Sequence, residues 1–272
     1  MVAAQRRRAI AEQVRAHGSV TVADLEGEFG VSSMTARRDL AELERQGVLR
    51  RTHGGAVLPS LTGHEDSFVH RLGLQDAAKR RLAAAAVRLV EDGETVFLDC
   101  STTAYHVAEA LLEARVRTTV LTNSVPVMEL ITTADAPTVE LIGVGGALRR
   151  LTRSFVGPHA VRTVLDHYAD KLFLSAKGVT RDGFLTDPDP LETEVKRTMI
   201  ARAASPVALL DASKLRTQGM SVIADAGKLA LAIVDGASED DLAPLRDSGV
   251  RIERIGEESA GDTDGSSPVG AA

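Results

Sequence analysis

Two adjacent arginines, Arg37 and Arg38, follow a Ser-Ser-Met-Thr run that begins at Ser32. An arginine fork suits bidentate contacts with guanine and ion pairs with phosphate, and a threonine can meet a thymine methyl group or a phosphate. A second pair, Arg50 and Arg51, stands directly before the sequence Thr-His-Gly-Gly. These residue types at this spacing indicate chemistry directed at nucleic acid.

The elements that must position this cluster are helices. Three successive helical patterns, each ending at a glycine, fill residues 6–47. In the third pattern Ala36, Leu40 and Leu43 form the apolar stripe, and Ser32 is a candidate N-cap. The stretch that follows, VLRRTHGGAVL, predicts two short strands around a glycine turn. Together these elements outline a winged helix-turn-helix.

A helix-turn-helix protein reads bases with the N-terminal residues of its recognition helix. We therefore expect base-edge contacts from the face opposite the apolar stripe and its flank, at Ser33, Met34, Thr35 and Arg38. We expect phosphate or minor-groove contacts from the rest of the cluster, at Arg37, Arg50, Arg51 and His53. The alternative is a solvated charged face on a small helical bundle, in which Arg38 pairs with Glu42.

Charge and composition narrow the class of protein. The chain carries a net charge of −6, but residues 1–58 hold nine arginines against seven acidic residues, and the remainder holds 23 basic against 31 acidic residues. Only the first part is therefore expected to meet an acidic polymer. The single cysteine, Cys100, excludes an intramolecular disulfide and a cysteine-based zinc site. We expect no metal, no cofactor, no membrane segment and a cytoplasmic location.

Residues 76–255 alternate helical patterns with apolar segments of strand length. Strands that are apolar on both faces and alternate with helices predict an α/β domain with a mostly parallel sheet. We accordingly predict a DNA-binding domain over 1–58, a linker over 59–75, the α/β domain over 76–255 and a disordered polar tail over 256–272.

Polar residues follow several of the predicted strands. In an open parallel sheet ligands bind outside the carboxyl ends of the strands, so these loops can converge on one crevice. The sequence at 101–103, Ser-Thr-Thr, leads into a helix whose free N–H groups would form an anion site. Lysine occurs only six times in the chain, which makes the lysines after strands candidates for countercharge.

This pattern favours a small polyhydroxylated anion such as a sugar phosphate. Phosphate would lie on Ser101, Thr102 and Thr103. Hydroxyl groups would bond Asp99 and Asn123, and the countercharge would come from Lys177 or Lys214. Each residue also has a purely structural interpretation, because a Ser or Thr before a helix is commonly only a cap.

Residues 22–56, VADLEGEFGVSSMTARRDLAELERQGVLRRTHGGA, resemble the DNA-binding signature of the DeoR family of bacterial transcriptional regulators. The family pattern is VS-x-x-T-x-RRDL-x-x-L-x-x-x-G-x-L-x-R-x-HGGA, and the chain matches every fixed position. It departs from family usage at Glu26, where a small residue is usual, and at Ala36, where a larger β-branched residue is usual.

The resemblance continues through LDCSTTAYHVAEAL, VLTNS, GVGG, DKLFLSAKGV, VKRTMI and LLDASK. It implies a sensor domain similar in fold to ribose-5-phosphate isomerases and responsive to phosphorylated sugars. By resemblance, the effector contacts are Asp99, Thr102, Thr103, Asn123, Lys177, Lys214 and, with less weight, Glu192 and Lys196. Ser101 stands where the family usually has glycine.

We therefore predict a repressor of a carbohydrate operon that binds double-stranded operator DNA as a homo-oligomer, a dimer or a tetramer. A phosphorylated sugar would release it, and we expect no enzymatic activity. Two alternatives remain open. One is a phosphosugar isomerase with an attached DNA-binding module, for which Asp99 or Glu192 would be the general base. The other is an oligomerisation scaffold that senses no ligand.

Overall fold

The computed structural model describes residues 3–17, 19–45, 48–52, 54–57 and 65–256. The first four ranges form the N-terminal domain, and the last forms a larger α/β body. Three predicted features fall partly outside the described residues: the DNA-binding domain over 1–58, the linker, of which 65–75 is described, and the tail, of which only Gly256 is described.

The N-terminal domain contains three helices, α1 (Ala3–His17), α2 (Val22–Phe29) and α3 (Ser33–Arg45). Helix α2 begins with a capping box, in which the Thr21 hydroxyl accepts from the backbone of Asp24 and the Asp24 carboxylate accepts from the backbone of Thr21. The helix ends at Gly30, whose φ of 61° lies in the left-handed region that glycine adopts without strain. These local signals set the sharp turn between α2 and α3.

The core of this domain forms where the predicted apolar stripe meets the other helices. Ala36, Leu40 and Leu43 are buried on the inner face of α3, as the periodicity predicted. They pack against Val14 of α1 and Leu25 of α2. The burial of this stripe leaves the opposite face of α3 to solvent.

Three short strands complete the domain: β1 (Ser19–Thr21), β2 (Arg50–Arg51) and β3 (Gly55–Val57). The wing hairpin β2–β3 was predicted, but β1 was not, because three residues between two helices carry no readable alternation. Strand β3 lies between the other two and pairs antiparallel with both. A Cβ at Gly55 would stand 2.0 Å from the carbonyl oxygen of Val20, so the close approach of β3 to β1 requires glycine there.

The described part of the predicted linker is not extended chain. Residues Phe68–Gly73 form helix α4, capped by the Ser67 hydroxyl, which accepts from His70 N. The side chain of Phe68 is buried and stacks edge-on against Tyr105. The sequence showed no periodicity over this stretch, because a six-residue helix is too short to show a helical period.

The body contains twelve strands, whose bounds in chain order are β4 Thr95–Leu98, β5 Thr118–Thr122, β6 Val139–Gly143, β7 Ala147–Arg149, β8 Ser154–Val156, β9 Ala169–Leu174, β10 Gly178–Val179, β11 Phe184–Asp187, β12 Ala203–Asp211, β13 Ser221–Asp225, β14 Leu231–Asp235 and β15 Ile252–Ile255. Its remaining helices are α5 Asp76–Val87, α6 Thr102–Ala114, α7 Val125–Thr133, α8 Pro158–Leu165, α9 Pro190–Ala201 and α10 Ala243–Asp247.

Seven of these strands form one sheet in the order β15-β14-β12-β9-β4-β5-β6. Every neighbouring pair in it is parallel. Successive residues of β4 alternate between two apolar layers: Val96 and Leu98 pack with α5 and α6, whereas Phe97 packs on the other face. The predicted fold class, a small helix-turn-helix domain followed by a parallel α/β domain, is confirmed.

The strand order reverses between β4 and β9. From β4 the chain proceeds outward through β5 and β6, and from β9 it proceeds in the opposite direction through β12, β14 and β15. A crevice opens at the carboxyl ends of two strands that diverge in this way. A small antiparallel sheet, β10-β11-β13, and the hairpin β7–β8 lie outside the large sheet. Within the described residues, no helix is both long and apolar enough to cross a membrane.

We expect Gly55→Ala to destabilise the N-terminal domain by about 1–3 kcal/mol, because the new methyl group would overlap the backbone of β1. Amide hydrogen exchange at Val20 and Ala56, which face each other across the two strands, measures the effect in the intact protein. Gly54→Ala is the matched control, because a Cβ at Gly54 meets nothing within 4 Å. Equal exchange rates in the two variants would contradict this account.

Candidate functional site

The predicted base-reading face of α3 is open to solvent. Ser33, Arg37 and Arg38 are exposed, and Met34 is 69% exposed. Thr35 is half-buried, and its hydroxyl lies 3.1 Å from that of Ser32. The outer face of α3 thus presents two cationic side chains and one methionine to solvent.

The orientation of α3 is held from behind by a buried ion pair. The guanidinium Nε of Arg6 on α1 lies 2.6 Å from the carboxylate of Asp39. Arg7 is a second neighbour of the same carboxylate, at 3.7 Å, and lies 3.8 Å from Glu42. Asp39 follows Arg38 in the sequence, so this pairing neutralises the acidic charge nearest to the exposed arginines.

The wing arginines differ from their prediction in one respect. Arg51 was expected to reach phosphate, but its guanidinium lies 2.7 Å from Glu44 and its backbone N–H donates to the same carboxylate. The Glu44 carboxylate therefore anchors the wing to α3. The backbone of Arg50 lies in β2, while its side chain and all of His53 lie outside the described residues.

A cavity of about 320 Å³ lies at the point where the strand order of the body reverses. Its lining includes most of the predicted effector contacts together with groups that the prediction missed. The polar residues of the lining are Glu65, Asp66, Arg71, Gln75, Lys79, Ser101, Thr102, Thr103, Ser175, Lys177, Asp187, Lys196, Asp211, Ser213, Lys214 and Thr217.

The first turn of α6 forms one wall of this cavity. Ser101 is its N-cap and accepts from the backbone N–H of Ala104 at 3.1 Å. The side chains of Thr102 and Thr103 line the cavity from the same turn. Ser101 has φ −75°, which any residue adopts, so serine in place of the family's usual glycine costs no backbone strain. The helix N-terminus makes this wall favourable for an anion.

Asp99 lies beneath the cavity. It is fully buried at the end of β4, and its carboxylate accepts from the backbone N–H of Ser101 at 3.0 Å and from that of Ser175 at 3.1 Å. Ser175 follows β9, the other strand at the reversal point. The Asp99 carboxylate therefore joins the loop after β4 to the loop after β9. The sequence analysis had predicted that it would contact a sugar hydroxyl.

Lys196 is buried against two carboxylates. Its Nζ lies 2.5 Å from Asp187 and 3.2 Å from Asp99, and donates to the carbonyl oxygen of Ser175 at 2.8 Å. Burial alone would lower the pKa of Lys196, but the two carboxylates outweigh it and raise the pKa above its usual range. Burial raises the pKa of Asp187, although the neighbouring ammonium opposes that shift. The Lys196 ammonium is thus the counterion of Asp99 and Asp187, which lie at the bottom of the cavity and are called its floor below.

Lys177 and Lys214, both predicted, line the cavity near Asp211. Burial lowers the pKa of Lys214; Asp211 opposes that shift, and Arg71 and Lys177 reinforce it. Asp211 ends β12, and its carboxylate accepts from the backbone N–H of Ser213 at 3.0 Å. This part of the cavity carries more positive than negative groups.

Besides Asp99, two further predicted contacts do not line the cavity. The Asn123 amide donates to the carbonyl oxygen of Phe155 at 2.9 Å, which ties β5 to β8. Glu192 is buried and accepts from Ser154 at 2.7 Å, from the Thr152 hydroxyl and from Arg149 at 3.3 Å. Burial alone would raise the pKa of Glu192, but Arg149 and the other hydrogen-bond donors lower it. The ionised carboxylate is therefore the favoured form.

Two cations of the lining, Arg71 and Lys79, come from helices α4 and α5 and were not predicted. Arg71 lies within the predicted linker, where no pattern marked it. The rarity of lysine was a usable signal for Lys79, because four of the six lysines in the chain line this cavity. Among the described residues, no group of three or more His, Cys, Asp or Glu side chains is placed to hold a metal ion.

A helix-turn-helix domain with an exposed recognition helix, followed by an α/β domain with a polar cavity, defines a DNA-binding protein with a separate sensor domain. The family model described as the DeoR C terminal sensor domain matches residues 74–236, and the DeoR-like helix-turn-helix domain matches residues 6–62. The chain belongs to the DeoR family of transcriptional regulators, which confirms the resemblance seen in the sequence.

Similar proteins span nearly the whole chain. The HTH-type transcriptional regulator GlpR of Haloferax volcanii is 33% identical over 255 residues, which cover 93% of this chain and 98% of GlpR. The HTH-type transcriptional repressor GlcR of Bacillus subtilis is 31% identical, with coverage of 90% and 93%. The lactose phosphotransferase system repressor of Streptococcus mutans is 29% identical, with coverage of 89% and 95%.

Among solved structures, ribose-5-phosphate isomerase A of Methanocaldococcus jannaschii is similar at 19% sequence identity with a TM-score of 0.37. The match covers 51% of this chain and 54% of the isomerase, so the chain spans about half the length of that enzyme. A likeness of this extent supports no conclusion about catalysis.

We expect Lys196→Met to destabilise the body by about 3–5 kcal/mol, because it leaves Asp99 and Asp187 buried without their counterion. Burial already raises the pKa of Asp187 against the opposing ammonium, and without that ammonium the pKa would rise further above the value in the unfolded chain, so the folded variant would bind protons more tightly. Its stability should therefore increase as the pH falls from about 7 to about 5. Urea unfolding at the two pH values measures this.

Lys228→Met is the matched control for that experiment, because Lys228 is exposed and lies outside the cavity lining. Its unfolding should follow that of the wild-type protein at both pH values. A Lys196→Met variant that loses stability on acidification would show that the two carboxylates do not depend on this ammonium.

Proposed function

We propose that this protein is a repressor of a carbohydrate operon that binds double-stranded operator DNA and is released when a phosphorylated sugar enters the cavity. The observation that carries the proposal is the presence, in one chain, of an exposed arginine face on a recognition helix and a polar cavity at the strand-order reversal. Relatives named as repressors, among them one of a lactose phosphotransferase system, support the direction of control and the carbohydrate class. Because its target is operator DNA, we propose a cytoplasmic location.

In this proposal α3 enters the major groove. Ser33, Met34, Thr35 and Arg38 meet base edges, and Arg37 meets a phosphate. Arg51 contributes by holding the wing through Glu44, with its guanidinium already neutralised. A homo-oligomer, a dimer or a tetramer, would hold two such helices at the spacing of two half-sites.

The phosphate group of the effector would lie on the first turn of α6. Free helical N–H groups and the hydroxyls of Thr102 and Thr103 are suited to phosphate oxygens, and Lys177 and Lys214 would supply countercharge. The sugar hydroxyls would bond the carboxylate of Asp211 and the hydroxyl of Ser213, which line the same cavity. Asp99, Asn123, Glu192 and Lys196 would act by holding the loops in place.

The contacts of the carboxylates favour a sensor over an isomerase. A general base needs a carboxylate free to take a proton from the substrate. Asp99 is occupied by two backbone N–H groups and by Lys196, and Glu192 by two hydroxyls and by Arg149. Both residues nominated as a base are therefore committed to structure. A pure scaffold is disfavoured because a cavity lined by buried cations costs stability unless a ligand compensates them.

Release requires that the effector bind one arrangement of the protein better than another, since a ligand shifts an equilibrium only by its differential affinity. The experiment that tests the proposal is fluorescence anisotropy of the full chain on DNA from upstream of its own gene, with a panel of pentose and hexose phosphates and the matching free sugars. Salt-sensitive, sequence-selective binding that one phosphorylated sugar releases is the expected result. Selective binding that no panel member disturbs would overturn the sensor function.

We expect Arg38→Ala to cost about 1–3 kcal/mol of binding to the selected operator and to relax sequence selectivity, because a bidentate contact with a base is lost. Anisotropy on operator and scrambled DNA measures both effects. Arg8→Ala is the control, because Arg8 is exposed on α1 and pairs with Glu12 within its own helix at 3.4 Å. The effector affinity of the Arg38 variant should equal that of the wild type; loss of both activities would contradict the assignment of separate domains.

A further inference from the structure

The turn between α8 and β9, residues 166–168, presents large apolar side chains to solvent. Leu165, the last residue of α8, is 41% exposed, and Tyr168, which directly precedes β9, is 71% exposed. The chain enters β9 here, so both side chains lie at the edge where the parallel strands begin, opposite the carboxyl ends that border the cavity. Ligand binding in the cavity therefore does not account for their exposure.

The turn is held in place by Arg202, which follows α9. The guanidinium carbon of Arg202 lies 3.8 Å from the centre of the Tyr168 ring. Its N–H groups donate to the carbonyl oxygen of His167 at 3.2 Å, to that of Leu165 and to the Tyr168 hydroxyl at 2.7 Å. Side chains fixed in this way lose little conformational freedom when a partner covers them, and tyrosine and arginine dominate the binding energy of many interfaces. The turn thus has the composition and the rigidity of a protein–protein contact.

The outer face of α8 carries charges of both signs. The exposed residues of this helix and its C-cap are Pro158, His159, Arg162, Leu165 and Asp166. Arg162 and Asp166 are one helical turn apart, yet within the described part of the chain neither side chain enters an ion pair or a hydrogen bond. An arginine four positions before an acid is the less favourable order for pairing within a helix. Both charges are therefore available to a partner.

Twofold symmetry makes this face complementary to itself. When two α8 helices lie antiparallel about a twofold axis at the level of Val164, residue 162 of each copy faces residue 166 of the other. Arg162 of each copy then meets Asp166 of the second copy, and the two Leu165 side chains lie beside the axis. A face that binds a different, strongly charged protein carries mainly one sign of charge, whereas here the two signs balance. Charge complementarity therefore favours a second copy of this chain as the partner.

We propose that α8 and the turn at Tyr168 form the contact between two copies of this chain, with Arg162–Asp166 ion pairs across a twofold axis and Leu165 at its apolar centre. The proposal rests on the function proposed above, in which an oligomer holds two recognition helices at the spacing of two half-sites. The contact leaves the carboxyl edge of the sheet uncovered, where the cavity lies.

Charge reversal in the full chain tests the contact, with sedimentation equilibrium as the measurement. Arg162→Glu leaves only acids at the two positions, and Asp166→Arg leaves only bases. Each variant alone should self-associate at least roughly tenfold more weakly than the wild type, because like charges meet across the axis. A 1:1 mixture of the two variants should associate more tightly than either variant alone, because every acid then meets a base of the other copy. Effects within one helix are not repaired by mixing.

Leu165→Glu tests the apolar centre. It should also weaken self-association at least roughly tenfold, because it replaces an apolar contact at the axis with two like charges. Leu191→Glu is the matched control, because Leu191 is 50% exposed and lies at the start of α9, at the opposite end of that helix from Arg202. Its self-association should equal that of the wild type. Thermal unfolding followed by circular dichroism checks that each variant is folded.

Salt dependence adds a second readout. Raising the ionic strength should weaken the mixed pair and strengthen each charge variant alone, since salt screens both attraction and repulsion between exposed charges. Wild-type self-association in both charge variants and in Leu165→Glu would overturn the proposal, as it would if a different protein occupied this face. A wild-type chain whose mass does not rise with concentration above that of a monomer would overturn it as well.

Operator binding distinguishes failure of the contact from failure of the proposed function. Each charge variant alone should bind operator DNA more weakly than the wild type, and the mixture should recover affinity. Sugar-phosphate-sensitive operator binding by variants that still associate normally would overturn the contact and leave the proposed function standing. Recovery of association on mixing, with no selective operator binding by any form, would overturn the proposed function and leave the contact supported.

Discussion

The body depends on one buried charge arrangement, the ammonium of Lys196 between the carboxylates of Asp99 and Asp187. Asp99 directly follows β4 and accepts from the backbone N–H of Ser175 in the loop after β9, so the two strands that border the reversal of the sheet are joined at their carboxyl ends. Each of these charges would be costly to bury alone. Together they form a floor on which the loops of the cavity rest.

The parallel sheet makes such a floor possible. Its strands are apolar on both faces, so the polar residues that the chain must bury are displaced to the strand ends, where Asp99 follows β4 and Asp211 ends β12; Asp187 joins them from β11 of the small antiparallel sheet. Carboxylates at these positions accept from backbone N–H groups that face the cavity. The polar groups left over after this pairing are mainly cations, which explains why the cavity suits an anion.

In the N-terminal domain the ion pairs lie behind and beside the recognition helix α3 and hold it and the wing in place. Arg6 neutralises Asp39 on the inner side of α3, and Glu44 holds Arg51, so the wing is tied to the helix. Arg37 and Arg38 remain exposed on the outer face. The surface that faces DNA in the proposal is therefore more basic than the near balance of charge in residues 1–58 suggests.

Local patterns in the sequence determined the elements and their inner faces. The stripe of Ala36, Leu40 and Leu43, the caps of α2 and α6 and the apolar runs of the parallel strands are short-range features, and each follows from the spacing of residues within one element. The family signature added the order of the two domains. The position of the cavity at the strand ends also followed, because parallel topology places those ends on one edge.

Tertiary structure decided which of the polar side chains near the strand ends face the cavity and which bond elsewhere. Glu192 resembled an effector contact but is consumed by Arg149, 43 residues away along the chain, and Asn123 is consumed by Phe155, 32 residues away. Arg71 lay in an apparent linker and yet reaches the cavity, because α4 docks through Phe68 onto α6. Such pairings are long-range competitions for a few donors and acceptors. Which donor pairs with which acceptor depends on how the packed elements are placed in space. The spacing of residues along one element does not determine that placement.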